Sequence, residues 1–302
     1  MRKLPQRTYP SSLAVCSQCL ITERAHGRPL RECSQVCHSA RYCTKECQAK
    51  DWPQHKNSCE EAARSIPTKL MSLSTHPLLS ILMSACCVMG LNIRNDRDTV
   101  NNISHATFSI GVEPADILDL SPVVEQGTAG FTQTKVKGVI QLNAFDGDTG
   151  DVAAKRKEMW IKQRSQLDAF GCSQCSIVIV DVFHSSAHSG VCFPMTISNA
   201  ILSFVKQLVS GGFELHCKTT GEMRRLPCTI DTCMEIINNC IRNDTRNKLH
   251  LRTPMQLHDL KTISTALSSR SEHGECAVPA AAKLFLEKMD RESVYHCFSR
   301  DK

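Results

Sequence analysis

Apolar positions along this chain alternate between helix period and strand period. Leu78, Ile81, Leu82, Ala85 and Met89 recur at i, i+3, i+4, i+7 and i+11, with Pro77 suited to a first turn and Gly90 to a stop. Residues 136–144 read as a strand, ended by the loop Asp146-Gly-Asp-Thr-Gly150. Residues 152–170 read as a helix with Ala153, Trp160, Leu167 and Phe170 on one face and Gly171 closing it. The clearest strand is 177–183, Ile-Val-Ile-Val-Asp-Val-Phe, apolar on both faces and therefore expected inside a sheet. Ile197, Ala200, Ile201, Phe204, Val205 and Leu208 give a further amphipathic helix, with Gly211-Gly212 after it and a strand over 213–218. Helices are expected near 231–242, 253–267 and 281–292. Residues 92–134 are polar and irregular, with weak strand signals only around 106–110.

This alternation predicts a mixed α/β or α+β domain. The expected organisation is a basic tail over 1–15, a cysteine-rich segment over 16–59 and a helical connector over 60–91. The mixed domain then takes 92–267, and a linker with a C-terminal helix takes 268–302. No apolar run approaches the roughly 18 residues of a membrane span, so no membrane association is expected.

Composition changes this picture mainly through cysteine. The chain has 302 residues, 41% hydrophobic and 22% charged, which is a globular composition. Of its 18 cysteines, seven fall between residues 16 and 59 and eleven beyond. The opening residues, MRKLPQRTYPSSLAV, hold no apolar signal core, so the expectation is an intracellular protein, nuclear or cytoplasmic, with reduced thiols.

The chemistry concentrates in four closely spaced pairs: Cys16-x2-Cys19, Cys33-x3-Cys37, Cys43-x3-Cys47 and His55-x3-Cys59. Structural zinc takes four Cys or His ligands, and ligands two or three residues apart grip one edge of its tetrahedron. Eight ligands fill two closed sites, giving an expectation of two Zn2+ per chain with no open position for catalysis. Spacing alone leaves the pairing open: first with second and third with fourth, or interleaved. Interleaving closes longer loops that lock one another, which suits a segment too small to bury much apolar surface.

Residues 41–59, RYCTKECQAKDWPQHKNSC, resemble the MYND zinc finger at Tyr42, Cys43, Cys47, Gln48, Trp52, His55, Lys56 and Cys59. Two positions depart from that family: Thr44 replaces a Ser, and the second pair is spaced x3 instead of x2. The resemblance implies a cross-brace, with Cys16, Cys19, Cys43 and Cys47 on one zinc and Cys33, Cys37, His55 and Cys59 on the other. It also implies a protein-interaction module that captures proline-rich motifs in partner proteins, in a groove matched here by Thr44, Gln48 and Trp52. A rigid polyproline segment loses little entropy on docking, an indole offers a flat apolar face, and a Gln offers polar contacts. The layout is also similar to uncharacterised fungal MYND-finger proteins, which brings no activity with it.

Other functions fare less well. The net charge of +6 suggests nucleic acid, but the finger carries seven Lys or Arg against four Asp or Glu. That surplus is cancelled by seven thiolates around two Zn2+, so the clustered cationic footprint of phosphate binding is missing. Some MYND proteins are SET-domain lysine methyltransferases, but in those the finger interrupts catalytic sequence and is followed by an Asn-His-x-Cys-x-Pro-Asn stretch. Here 15 residues precede Cys16, and Asn102-Ile-Ser-His105 does not match that stretch. Beyond the finger, Cys172-x2-Cys175 ends a helix and precedes a strand, the reverse of a redox motif. Cys233 and Cys240 fall on an apolar helix face. Residues 146–157 begin like a calcium loop but end on Lys157. Asp181, His184 and His188 follow the clearest strand without a nucleophile motif beside them, and no catalytic motif is complete. The sequence therefore favours binding over catalysis and identifies no small-molecule substrate.

Overall fold

Within Ser104–Pro114, buried Ala106, Phe108, Ile110 and Val112 alternate with half-buried Thr107, Ser109 and Gly111, the period of a strand with one face on a core, before Glu113 and Pro114 are buried as well. That strand lies in the middle of the sheet around which the larger part of the chain is built. The computed structural model describes residues 16–19, 21–33, 40–64, 66–93, 97–120, 136–148, 152–187, 189–216, 223–271 and 278–298. The chain divides into two units, Met1–Ser72 and Leu73–Lys302.

The first unit contains a short helix α1 (Glu23–His26), a two-stranded ribbon of β1 (Arg31–Glu32) and β2 (Arg41–Tyr42), and a long helix α2 (Lys45–Arg64). A further helix, α3 (Ile66–Thr75), begins in it.

The second unit opens with α4 (Pro77–Gly90) and α5 (Arg97–Asn101). Then come β3 (Ser104–Pro114), β4 (Lys137–Asp148), α6 (Ala154–Ala169), β5 (Ser176–His184), β6 (Ser189–Ile197) and α7 (Asn199–Gly211). A small ribbon of β7 (Phe213–His216) and β8 (Met223–Leu226) leads into α8 (Ile230–Asn243). The strand β9 (Arg252–Pro254) and helices α9 (Leu257–Ser271) and α10 (Ala280–Arg291) follow. Five strands form one sheet in the order β6-β5-β3-β4-β9, with β3 and β5 parallel and the other neighbours antiparallel. This is a mixed α/β domain. Among the described residues, no single helix is long and apolar enough to cross a membrane.

Sheet edges and core explain the helix positions. β9 pairs only with Lys137, Gly138 and Val139, leaving β4 exposed further along. The gap is filled by Leu251, whose carbonyl accepts from the Ile140 amide, and by Asn238 of α8. Asn238 accepts from the Leu142 amide at 2.7 Å and donates to the Leu142 carbonyl at 2.8 Å, so one side chain acts as a strand partner. α4 packs on α7 and α8, and Gly90 at its end lies under Phe145; a Cβ there would collide with the ring. Phe145 meets Phe108 edge to face, with ring centroids 5.0 Å apart.

One polar cluster is buried in this core. Glu113 on β3 accepts from Lys288 of α10 and from the Tyr295 hydroxyl. Arg242 of α8 donates to Glu292 at 2.7 Å and to the Tyr295 oxygen at 2.8 Å, while Asn238 donates to Glu292 at 2.6 Å. Burial holds the Lys288 amine below its ordinary range, although Glu113 and Glu292 pull it upward.

The structure departs from the sequence expectation in four places. Residues 104–114, expected as an irregular stretch with a weak signal, form a full strand. β4 continues through Asp146 and Gly147 to Asp148, where a loop was expected, because β3 pairs it as far as His105. Residues 189–197 form the edge strand β6, which the periodicity did not show. Residues 253–254 belong to β9 instead of the following helix, which starts at Leu257.

Candidate metal centre

A small apolar centre and two backbone ties bring the finger's ligands together. Cys16, Leu30, Ala40 and Tyr42 are buried against one another, with Ile21, Cys33, Cys43 and Cys47 packed around them. The ribbon pairs Arg31 with Tyr42 and Glu32 with Arg41, so Cys33 and Cys43 emerge at its ends. The Cys33 amide donates to the Ala40 carbonyl at 3.0 Å, extending the ribbon to the ligand itself. The first ligand turn is fixed to β2 from both sides. Ser17 donates its amide to the Arg41 carbonyl at 2.8 Å, and the Arg41 amide donates to the Ser17 hydroxyl at 3.2 Å.

These constraints assemble four sulfurs. Cys19 Sγ lies 3.5 Å from Cys43 Sγ, which lies 3.5 Å from Cys47 Sγ. One atom from each of Cys16, Cys19, Cys43 and Cys47 lies within 4.8 Å of the others. Tetrahedral zinc with Zn–S of about 2.3 Å needs sulfurs about 3.8 Å apart, so the cluster fits the ion closely. The first pair meets the third, which is the interleaved arrangement. Burial raises the Cys16 thiol, but backbone amides of Cys19, Cys43 and Gln18 outweigh it and bring it down to about 6. Cys43 is pushed up to about 12 by desolvation and by its contacts with Cys19, Cys47 and Cys16. Without a cation, four crowded thiols share little negative charge; a divalent ion is what lets all of them ionise.

For the other four residues expected as ligands, less is described. Cys33 is half-buried and His55 is buried on α2. The Cys59 backbone continues α2 one helical turn beyond His55, and Cys37 lies outside the described residues. The Tyr42 and Trp52 rings both meet His55 edge to face, each at a centroid distance of 6.3 Å. Gln48 reaches back to the second ligand turn, donating to the Cys33 carbonyl at 2.9 Å and approaching its sulfur at 3.6 Å.

Thr44, Gln48 and Trp52 follow one another at i, i+4 and i+8, so they share a stripe of α2. The Thr44 hydroxyl accepts from the Cys47 amide at 3.2 Å and caps the helix that carries Cys47, His55 and Cys59. Trp52 is 40% exposed, so its indole has a free face. Sequence reasoning missed Asp51, which accepts from the Tyr42 hydroxyl at 2.5 Å and ties α2 to the ribbon. Its signal was its position one turn after Cys47 and one before His55.

The cysteines and polar residues singled out in the second unit occupy different settings. The carbonyls of Cys172 and Cys175 both accept from Arg164, and burial raises the Cys175 thiol, the opposite of redox activation. Cys233 is buried and Cys240 partly so. Asp181 accepts from Arg156 and pairs with His105 at 3.0 Å. His184 is buried against Asp259, and His188 lies outside the described residues.

Comparison with known families agrees with this division. Residues 11–59 match the model of the MYND finger, and residues 64–295 match the model described as Domain of unknown function (DUF8205). No curated protein and no solved structure matches the chain. MYND fingers are generally protein-interaction modules that bind zinc, and the four-sulfur cluster is such a zinc site. The match over residues 64–295 covers most of the chain, which thus belongs to the DUF8205 family and carries a MYND finger ahead of that domain.

Proposed function

We propose that the finger of this zinc-binding interaction module holds two Zn2+ and docks proline-rich segments of partner proteins along the Thr44, Gln48 and Trp52 stripe. Cys33, Cys37, His55 and Cys59 would hold the second ion. Support comes from buried His55 on the helix that runs on to Cys59, and from Gln48 bracing the Cys33 turn. The protein works in the cytoplasm or nucleus, where its thiols stay reduced. The observation that carries the peptide reading is Trp52: an exposed indole whose ring is steadied by His55. A proline ring stacks on such a face with little entropy loss, while Gln48 and Thr44 line the polar side of the stripe. The test is calorimetric titration of the full chain with a Pro-Pro-x-Leu peptide. Trp52→Ala should keep its metal and lose the binding, since an aromatic anchor contributes about 2–4 kcal/mol, a fall of about 30-fold or more. Equal affinity in wild type and variant would place the docking surface elsewhere.

A further inference from the structure

The second unit contains a cluster of metal-ligand type that the finger does not explain. His184 ends β5, Ser186 lies in the turn to β6, and His258 and Asp259 lie in the first turn of α9. His184 Nε2 is 3.0 Å from Asp259 Oδ1, and His258 Nε2 is 3.4 Å from the same oxygen. One ligand atom from each of the three lies within 4.8 Å of the others. Ser186 Oγ is 2.9 Å from His184 Nε2 and donates to Asp259 Oδ1 at 3.1 Å.

These contacts do not have the geometry of a nucleophile relay. In a Ser-His-Asp triad the imidazole uses one nitrogen for the serine and the other for the carboxylate. Here both partners crowd Nε2, and His184 Nδ1 is buried with no partner. A plain hydrogen-bonded cluster leaves His258 unexplained. Its Nε2 is shielded from solvent and close to the carboxylate, yet makes no hydrogen bond. Two imidazole nitrogens converging on one carboxylate oxygen match a mixed N/O coordination set, in which ligand atoms around zinc at about 2.0–2.1 Å stand roughly 3.3–3.4 Å apart.

We propose that His184, His258 and Asp259 form a site for a divalent metal of the zinc class, separate from the finger. Asp259 is oriented for it. Its Oδ2 accepts from the Gln256 amide at 2.9 Å, which leaves Oδ1 facing the imidazoles. Beside Ser186 and Asp259 lies a cavity of about 10 Å³, also lined by Glu113 and Asn143. That volume holds about one water, and the buried Asn143 Oδ1 lacks a partner that such a water would supply. That cavity reaches Asp259 and Ser186 but not the two histidines, so the ion's ligands are the three side chains themselves, with Ser186 Oγ beside them. Two histidines with one carboxylate favour zinc, iron or nickel over calcium or magnesium, which prefer all-oxygen shells.

The test is the metal content of full-length wild type, His258→Ala and His258→Cys after equilibration with Zn2+ and removal of free ion. His258 is the ligand to vary because its side chain is 40% exposed and carries little of the core. Wild type should hold one equivalent more than His258→Ala, whatever the finger contributes, since the finger is the same in both. His258→Cys should regain that equivalent. Loaded with Co2+, it should add thiolate charge-transfer absorption to the finger's own spectrum, which a merely structural role for His258 would not produce. Equal metal content in wild type and His258→Ala would overturn the proposal.

Discussion

The finger and the DUF8205 domain solve the same problem, holding a chain in one conformation, by different means. Among the described residues, the finger's buried apolar centre is Cys16, Leu30, Ala40 and Tyr42, of which Cys16 is a ligand. So little surface supports no independent fold, and metal coordination supplies the difference. The domain instead buries whole strands, with Ile177, Val178, Ile179 and Val180 of β5 all inaccessible to solvent. It then places charges inside that core, Glu113, Lys288 and Glu292 among them. A ligand-held unit concentrates its stability in a few bonds. A core-held unit spreads its stability over many contacts and depends on local electrostatics only where charge is buried.

The sharpest way to separate the two is to remove the metal. A strong chelator, or Cys16→Ser, should unfold the finger completely, because structural zinc contributes on the order of 10 kcal/mol in such modules. NMR of the finger amides against those of β5 would report the loss in the first set and its absence in the second. Retention of the ribbon amides after chelation would mean that the apolar centre suffices.

The next largest effect belongs to the domain. Lys288→Met removes the nearer of two cations from buried Glu113, leaving Arg242 at 3.7 Å, and should cost up to about 3–5 kcal/mol in denaturant unfolding. Adding Glu113→Gln should recover much of that loss, since the penalty comes from the stranded charge and not from the missing amine. If the double variant is as unstable as the single, Lys288 matters through packing alone.

The smallest effect is at the domain surface. Burial raises the Asp181 carboxyl, but hydrogen bonds from Arg156, Cys192 and His105 outweigh it and hold it below the usual range. The lower folded value means that the pair's contribution is present above the unfolded pKa, about 3.9, and is lost as pH falls through the folded value. Arg156 is partly exposed, so the contribution is at most about 1 kcal/mol. The stability difference between wild type and Arg156→Ala should therefore persist at neutral pH and shrink below pH of about 4. A difference independent of pH would assign it to packing of the Arg156 stem.

The two units also differ in how much of them could be read from residues alone. Spacings of two and three residues are a local signal, so the pairs Cys16-x2-Cys19 and Cys43-x3-Cys47, which meet in the structure, were legible. The meeting of the first pair with the third depends on the ribbon, which pairs Arg31 with Tyr42, and on Ser17 binding Arg41 across 24 residues. The strands of the domain were legible where both faces are apolar, as in β5. β6 was hidden by Ser189, Gly190 and Pro194, residues that an edge strand tolerates because one side of its backbone needs no partner. β3 was obscured by Glu113, whose burial makes sense only with Lys288 in view, 175 residues away. Ser186 and Asp259 were missed for the same reason: 73 residues separate them.

The Glu113 cluster has a consequence for the order in which the protein can be made. Glu113 sits on the central strand, yet its partners Lys288 and Tyr295 are translated 175 and 182 residues later. At about 5–20 residues per second the ribosome needs on the order of 10–40 s to bridge that interval. During it, closing the core would bury the carboxylate without its Lys288 and Tyr295 contacts and with only Arg242, at 3.7 Å, to offset its charge, so closure is disfavoured until α10 emerges. Full closure of this core therefore waits on residues 288–295, and until they appear the strands that precede them keep apolar surface exposed.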